Sequence, residues 1–428
     1  MLLIAMALLA GCAGKDYEKI QGIGVAEESS RKTGKTAGSI KNREAQKGNQ
    51  EADGESGGDR EQKTEPDIVI SDSGASTGEG IIISLEEDFC QEPDEGTEGM
   101  SSEGGEGVEE KPLILLFSGD VLLSSHVLNA YDRGGGIQGV LDETYRKQIQ
   151  EADFFMVNQE FPFSDRGTAA EDKQYTFRLP PDRILLFQEM GIDGVTLANN
   201  HALDFGQEAL LDSCEILDRA GILHTGAGKD LDAARRPVIV ERKGKRIAVI
   251  GATRVIPVAD WAAGGQHPGM LAAYDMTALL EEIRAQKQEN DAVIVCIHWG
   301  IERDEQPQDY QRTMGRQMID AGADLVIGSH PHVLQGMEYY KGKPIAYSLG
   351  NFVFGSSIPR TALLQVVWEE QNPVLRLIPG TSGAGYTRTV TKEGERQEFF
   401  RYMESISYGV SFEEDGTVVP LAEPMSFS

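Results

Sequence analysis

The stretch Ala323-Asp324-Leu325-Val326-Ile327-Gly328-Ser329-His330-Pro331-His332-Val333 decides how this chain is read. Its first half is an apolar run of strand length, and a buried strand delivers the residues after it to the C-terminal edge of a sheet, where open α/β proteins hold their ligands. Its second half sets two imidazoles one residue apart, which suits a metal. A satisfied pair of loop histidines has the same pattern, so the reading turns on whether other strand ends carry matching groups.

Four of them do. Lys111-Pro112-Leu113-Ile114-Leu115-Leu116-Phe117 runs into Ser118-Gly119-Asp120, and Asp153-Phe154-Phe155-Met156-Val157 into Asn158-Gln159-Glu160. Gly194-Val195-Thr196-Leu197-Ala198 runs into Asn199-Asn200-His201 with Asp204 close behind, and Ala292-Val293-Ile294-Val295-Cys296-Ile297 into His298-Trp299-Gly300 with Glu302 next. A metal site spread over several strand ends requires such runs, each closing in Asp, Glu, Asn or His. Of the seven histidines, His201, His298, His330 and His332 lie in these clusters, and His126, His224 and His267 do not.

Composition narrows the partners. The formal charge of the 428 residues is −29, and between Glu65 and Glu110 there is no Lys or Arg at all. Nucleic acid is thereby excluded as a partner, because phosphate contacts need a basic surface. Residues 1–11 are almost wholly apolar and close in Leu9-Ala10-Gly11-Cys12. A short apolar segment ending in small residues is a secretory signal, too short to span a bilayer as a mature helix. The Leu-Ala-Gly-Cys end looks like a bacterial lipobox, so a lipid on Cys12 is expected to hold the chain to the outside of the membrane. No Lys or Arg precedes the apolar stretch, a departure from the usual basic leader.

From residue 13 to about 110 the sequence is rich in Gly, Ser, Glu, Asp and Lys and lacks periodicity, which predicts a disordered acidic tether. The run Ile81-Ile82-Ile83-Ser84-Leu85, flanked by Glu86-Glu87-Asp88, is read as part of it. From Lys111 onward strand-like runs alternate with helical stretches, as in a layered α/β domain able to bury a substantial core. Gly206 to Ala220 places Ala209, Leu210, Cys214, Leu217 and Ala220 at helical spacing with Gly221 at the capping position, and Asp275 to Gln288 reads as a second helix. Cys214 and Cys296 fall in apolar runs and are expected to be buried free thiols, with a bridge between them as the alternative. The loop from Thr253 to Leu271, with Pro257, Trp261, Gly264, Gly265 and Pro268, is either a lid or a surface excursion.

Taken in order, Gly-Asp, Asn-x-Glu, Asn-Asn-His, His-Trp-Gly and Gly-Ser-His-Pro-His resemble the CapA family of poly-γ-glutamate capsule proteins, which looks like a branch of the calcineurin-like metallophosphoesterases. The resemblance extends through Tyr347-Ser348-Leu349-Gly350-Asn351-Phe352 to Phe399-Phe400-Arg401-Tyr402-Met403-Glu404-Ser405-Ile406-Ser407. It implies a layered sandwich of two mainly parallel or mixed sheets flanked by helices, over residues 111–428. It also implies one or two divalent ions, with manganese, zinc or iron suited to such ligands. Asp120, Glu160, Asn200, His298, His330 and His332 match the ligand positions, Glu160 standing where a carboxylate bridges two metals. His201 matches a residue that donates a proton to the leaving group or holds transition-state charge.

Two positions depart from the superfamily pattern. Asp120 is followed by Val121-Leu122 in place of x-His, so one imidazole is missing and His126 is the nearest substitute in sequence. Asn158-Gln159-Glu160 replaces Gly-Asp and lengthens the bridging arm. Among the neighbours, Asp204 is expected to cap the turn after His201 or orient its ring. Glu302 is either a support for ligand or substrate or a solvated loop carboxylate, and Asn351 either supports the ligands or the substrate or is a turn residue tolerant of unusual backbone angles; Asn158 supports the ligands or the substrate. The implied partners are membrane subunits of a poly-γ-glutamate synthase and the anionic polymer itself. A general metal-dependent phosphoesterase and a non-catalytic polymer-handling scaffold are the competing readings.

Overall fold

The computed structural model describes residues 111–171, 173–355, 357–368 and 373–421. The lipobox with Cys12, the tether with Cys90 and the run 81–85 lie outside the described residues. Among the described residues no helix is long and apolar enough to cross a membrane.

Two mixed sheets form the middle of the fold. From edge to edge the first runs Tyr386–Thr389, Val374–Gly383, Ser357–Trp368, Leu113–Val121, Phe154–Gln159, Gly194–Thr196 and Leu223–Thr225. The short strand Asn351–Val353 pairs in parallel with the end of Leu113–Val121. The second sheet runs Leu334–Tyr340, Lys343–Leu349, Leu325–Ser329, Ala292–His298, Lys245–Thr253 and Val238–Arg242. In each sheet the motif-bearing strands pair in parallel and the antiparallel partners lie toward the edges. Parallel strands of one sheet deliver their C-terminal ends to a common edge, which is why motifs so far apart in sequence meet.

Strand alternation separates three cores. Ala292, Ile294 and Cys296 of one strand and Leu113, Leu115 and Phe117 of another meet between the sheets, joined by Phe399, Phe400, Met403 and Ile406 of the helix Glu393–Ile406. The intervening Val293, Val295 and Ile297 face outward, under Leu279, Ile283, Met314 and Met318. Leu116 and Val121 face the other way, into a core with Phe187, Leu210 and Leu217. Period-two alternation with both faces apolar is what a strand covered on two sides requires. The result is the helix-sheet-sheet-helix sandwich that the family resemblance implies.

The helices are as read, with small shifts of boundary. Gly206–Ala220 ends at Gly221, whose φ of 72° turns its N–H back to Asp218 and Leu217 carbonyls. The second runs Thr277–Glu289, starting later than Asp275 because the Asp275 carboxylate accepts from the Thr277 N–H at 2.9 Å. Cys214 and Cys296 are both free and buried, so no bridge joins them; burial pushes each thiol up to about 12. Gly328 has no room for a side chain, since a Cβ there would lie 1.9 Å from the Tyr347 carbonyl oxygen and 2.4 Å from Trp299 Nε1. This close approach holds the strand Leu325–Ser329 against its neighbour just before the two histidines.

Candidate metal centre

Strand register brings the motif residues to one point. Asp120 lies opposite Asn158 and Asn351, and Ser329 opposite His298. Asp120, Glu160 and His298 are buried and present ligand atoms within 4.8 Å of one another. His298 Nε2 is 2.8 Å from Asn200 Oδ1 and 3.6 Å from Glu160 Oε1. His332 Nδ1 is 3.4 Å from Asp120 Oδ2, and the His330 ring lies 4.7 Å from that of His298 and 6.0 Å from that of His332. All six residues singled out as ligands are therefore brought together.

Local backbone strain holds this arrangement. His330 and His332 take φ values of 100° and 59°, a region that costs a side-chain-bearing residue about 1–3 kcal/mol and that clusters at functional sites. Asp120 is fixed by its N–H donating to the Gly350 carbonyl at 2.8 Å, and a Cβ on Gly119 would sit 1.8 Å from that same oxygen. At the neighbouring turn the unusual backbone angle belongs to Gly350, with φ of 59°, and not to Asn351. Asn351 is in a strand, and its Oδ1 lies 2.9 Å from His332 Nδ1, so it orients a ring.

Buried amides align the other groups. Asn158 Nδ2 donates to Asp120 Oδ1 at 2.8 Å and reaches Glu160 Oε1 at 3.3 Å, while its oxygen accepts from Asn199 Nδ2 at 3.1 Å. Asn158 thus turns its donor toward the centre and braces the carboxylates. Asn199, overlooked in the sequence as the first half of a pair, also donates to the Gln159 carbonyl at 2.7 Å and accepts from the His201 N–H at 3.0 Å. The Ser329 hydroxyl lies 3.0 Å from His298 Nδ1, leaving Nε2 to face the centre.

Burial and the mutual charges of the clustered groups set the electrostatics. Burial, then repulsion from Asp120, raises the Glu160 carboxyl well above its ordinary range. Burial, then the neighbouring imidazoles, holds His298 well below the usual value, and burial with His332 takes His330 down to about 4. Burial would lower His332 as well, but the Glu160 and Asp120 carboxylates outweigh it and push the ring up to about 10. Glu160 Oε2 and His330 Nδ1 are buried without a hydrogen-bond partner, a state that folded proteins rarely leave unexplained. Two carboxylates, three imidazoles and an amide oxygen fit a divalent transition ion better than calcium, whose ligands are all oxygens.

Beside the centre lies a second constellation. His201 Nδ1 is 2.7 Å from Asp204 Oδ2, and the Asp204 carboxylate also accepts from the Phe177 N–H at 2.7 Å. Asp204 therefore orients His201, while Phe205, not Asp204, precedes the helix Gly206–Ala220 as its cap residue. Lys173 completes the group. Its ammonium pairs with Asp204, donates to the Asn200 carbonyl, lies 3.1 Å from His201 Nδ1 and sits 5.3 Å from the centroid of the Trp261 ring. No motif flags Lys173, which stands in an irregular polar stretch; only its burial reveals it. Trp261 is itself buried, so the loop from Thr253 packs onto the site. Burial lowers the His201 imidazolium, against the opposing pull of Asp204.

The remaining residues separate cleanly. Glu302 is exposed, with no hydrogen bond or ion pair among the described residues, although its charge is felt at Glu160 and Lys173. His126 is exposed on the helix Ser125–Gly134, His224 pairs with Asp218 at 3.2 Å, and His267 reaches Asp260 at 3.4 Å. None of these three belongs to the centre, so His126 does not replace the missing imidazole.

The family model for Bacterial capsule synthesis protein PGA_cap matches residues 114–356, more than half of the chain, and the chain belongs to that family. Among individual proteins it is 29% identical over 309 residues to "Capsule biosynthesis protein CapA" of Bacillus anthracis, spanning 69% of this chain and 74% of that protein. It is 32% identical over 265 residues to "PGA biosynthesis protein CapA" of Bacillus subtilis (strain 168), spanning 60% of this chain and 69% of that protein. The NAD nucleotidase structure from Haemophilus influenzae aligns with a TM-score of 0.38 at 13% identity, over 69% of this chain and 57% of that one, a likeness too distant to carry anything further.

Removing Asp204 strands the mostly buried Lys173 ammonium, and breaking a buried pair from one side typically costs about 3–5 kcal/mol. Asp204→Ala is expected to lose about 3 kcal/mol or more in chemical denaturation. Lys173→Met added to it should restore part of that loss. A double variant at least as unstable as Asp204→Ala would show that the ammonium was not the source of the cost.

Proposed function

We propose that the chain acts outside the cell in poly-γ-glutamate capsule assembly or export, through a divalent-metal site of hydrolase type. The observation that carries the metal is the convergence of Asp120, Glu160 and His298 on one buried point, with unpartnered Glu160 Oε2 and His330 Nδ1 atoms beside it. The polymer comes from family membership and from the names of the Bacillus relatives.

Asp120, Glu160, Asn200, His298, His330 and His332 would hold one or two ions. A bound ion of this class supplies Lewis-acid polarisation of the substrate. The chain's own part is orientation and proton transfer. Asn158, held by Asn199, braces the carboxylates, Ser329 and Asn351 set ring orientation, and Asp204 with Lys173 fixes the His201 ring. A lowered imidazolium makes charged His201 the stronger acid, suited to protonating a leaving group. A cavity of about 410 Å³ lined by Leu203, Phe205, Gln207, Asp260 and Trp261 lies on the same flank and gives the substrate room. The implied partners are the anionic polymer and membrane subunits of its synthase.

Reconstitution of the full-length protein with excess manganese or zinc, followed by elemental analysis, is the direct test. Wild type should retain metal, and His330→Ala and Asp120→Ala should each retain less. A wild type that stays metal-free would overturn the proposal. His201→Ala should keep its metal while any hydrolysis of poly-γ-glutamate or a phosphodiester falls roughly 100-fold, the scale of a lost general acid. Loss of metal with activity would make His201 a ligand instead.

The membrane attachment is tested separately. A lipid on Cys12 would anchor the chain, with the segment 13–110 as spacer. Cys12→Ala should leave the membrane fraction without change in metal content. Retention equal to wild type would assign the attachment to something other than a lipid.

A further inference from the structure

Arg254 is the first residue beyond the strand Lys245–Thr253, and its N–H donates to the His298 carbonyl at 2.8 Å. It therefore stands at the strand edge that carries the metal centre. Its guanidinium carbon lies 4.6 Å from the centroid of the Tyr274 ring and 4.2 Å from that of Tyr310. Tyr310 is fixed in turn, its hydroxyl accepting from the Gly300 N–H at 2.8 Å. Gly300 lies against Pro331, where a Cβ would come within 2.9 Å of the proline ring. The aromatic support of Arg254 is thus tied to both histidine-bearing loops.

What is missing is a polar partner. Among the described residues no hydrogen bond or ion pair engages this guanidinium. Ring faces hold a guanidinium through its flat surface and leave the N–H fork in its plane available, so the donors are oriented in advance without being used. Exposed apolar surface adjoins the support: Tyr274, against which the guanidinium lies, is 59% exposed, and Ile301, next to the Gly300 that holds Tyr310, is 52% exposed. A planar fork beside apolar patches suits a ligand that carries carboxylates on short methylene chains.

We propose that Arg254, supported by Tyr274 and Tyr310, is a carboxylate-binding subsite that receives the anionic polymer at the edge of the metal centre. The guanidinium pairs with a side-chain carboxylate, and Tyr274 and Ile301 cover methylene groups. This inference rests on poly-γ-glutamate being the polymer the chain handles. The competing role is structural, with Arg254 merely fastening together the segments that lead into the helices Thr277–Glu289 and Asp309–Ala321.

The test is binding of labelled poly-γ-glutamate to the full chain by fluorescence anisotropy, for wild type, Arg254→Ala and Arg254→Lys. Metal content and thermal midpoint are read on the same samples. Losing a charge-assisted fork should weaken binding about 10-fold or more in Arg254→Ala. Arg254→Lys should recover only part, because an ammonium cannot form the paired contact. An esterified, uncharged polymer should bind all three forms alike. Equal binding of the acidic polymer by wild type and Arg254→Ala would overturn the subsite while leaving the choice of polymer intact. Weakened binding accompanied by a lowered midpoint or lost metal would assign Arg254 to structure. A wild type that does not bind the polymer would overturn the choice of polymer itself, and this subsite with it.

Discussion

Two carboxylates brought face to face out of water are the constraint on which the rest of this structure depends. Asp120 and Glu160 are buried at neighbouring strand ends, and like charges at such range cannot both ionise without compensation. The fold supplies compensation in layers: Asn158 bonds to both, the His330 N–H reaches Asp120 Oδ2 at 3.3 Å, and His332 brings an imidazolium to the pair. Even so, one Glu160 oxygen is left without a partner. That oxygen is the open position to which the proposed ion would bind.

Holding such groups together requires backbone that spends stability locally. Two histidines sit at positive φ, and Gly119 and Gly328 accept contacts closer than any Cβ allows. These features lie at the ends of strands whose interior is ordinary alternating apolar packing. The large cores around the two sheets offset the local cost.

Much of this was legible in the sequence because a parallel strand carries its own address. An apolar run predicts a strand, and the residue that ends it is placed at the edge without knowledge of any contact. Within clusters whose ligands the family resemblance picks out, Asp120, Glu160, Asn200, His298, His330 and His332 were located in that way. Lys173 and Arg254 were not, because each stands in or beside a loop whose path is set by tertiary packing and not by periodicity. Asn351 stays open in the sequence between a turn role and a supporting role for a related reason. Sequence marks an unusual turn at Leu349-Gly350-Asn351, but only the backbone tells which of the adjoining residues bears the positive φ and which offers its side chain. The antiparallel edge strands, too, depend on pairings among segments that carry no motif.

The acidity of the chain bears on its partners in a way composition alone obscures. About half of the formal charge of −29 falls between Glu65 and Glu110, where no basic residue occurs. Exposed charges are largely screened beyond about 8 Å at physiological ionic strength. Screening makes the charges next to a bound group count for more than the formal total. The edge of the metal centre carries Lys173, Arg254 and Arg303, the last fixed by its N–H to the Pro331 carbonyl at 2.8 Å. Nucleic acid needs a basic stripe along many successive phosphates, and three separated cations do not make one. On the proposed reading, a carboxylate polymer met one residue at a time asks for a single fork at Arg254 and for no such stripe.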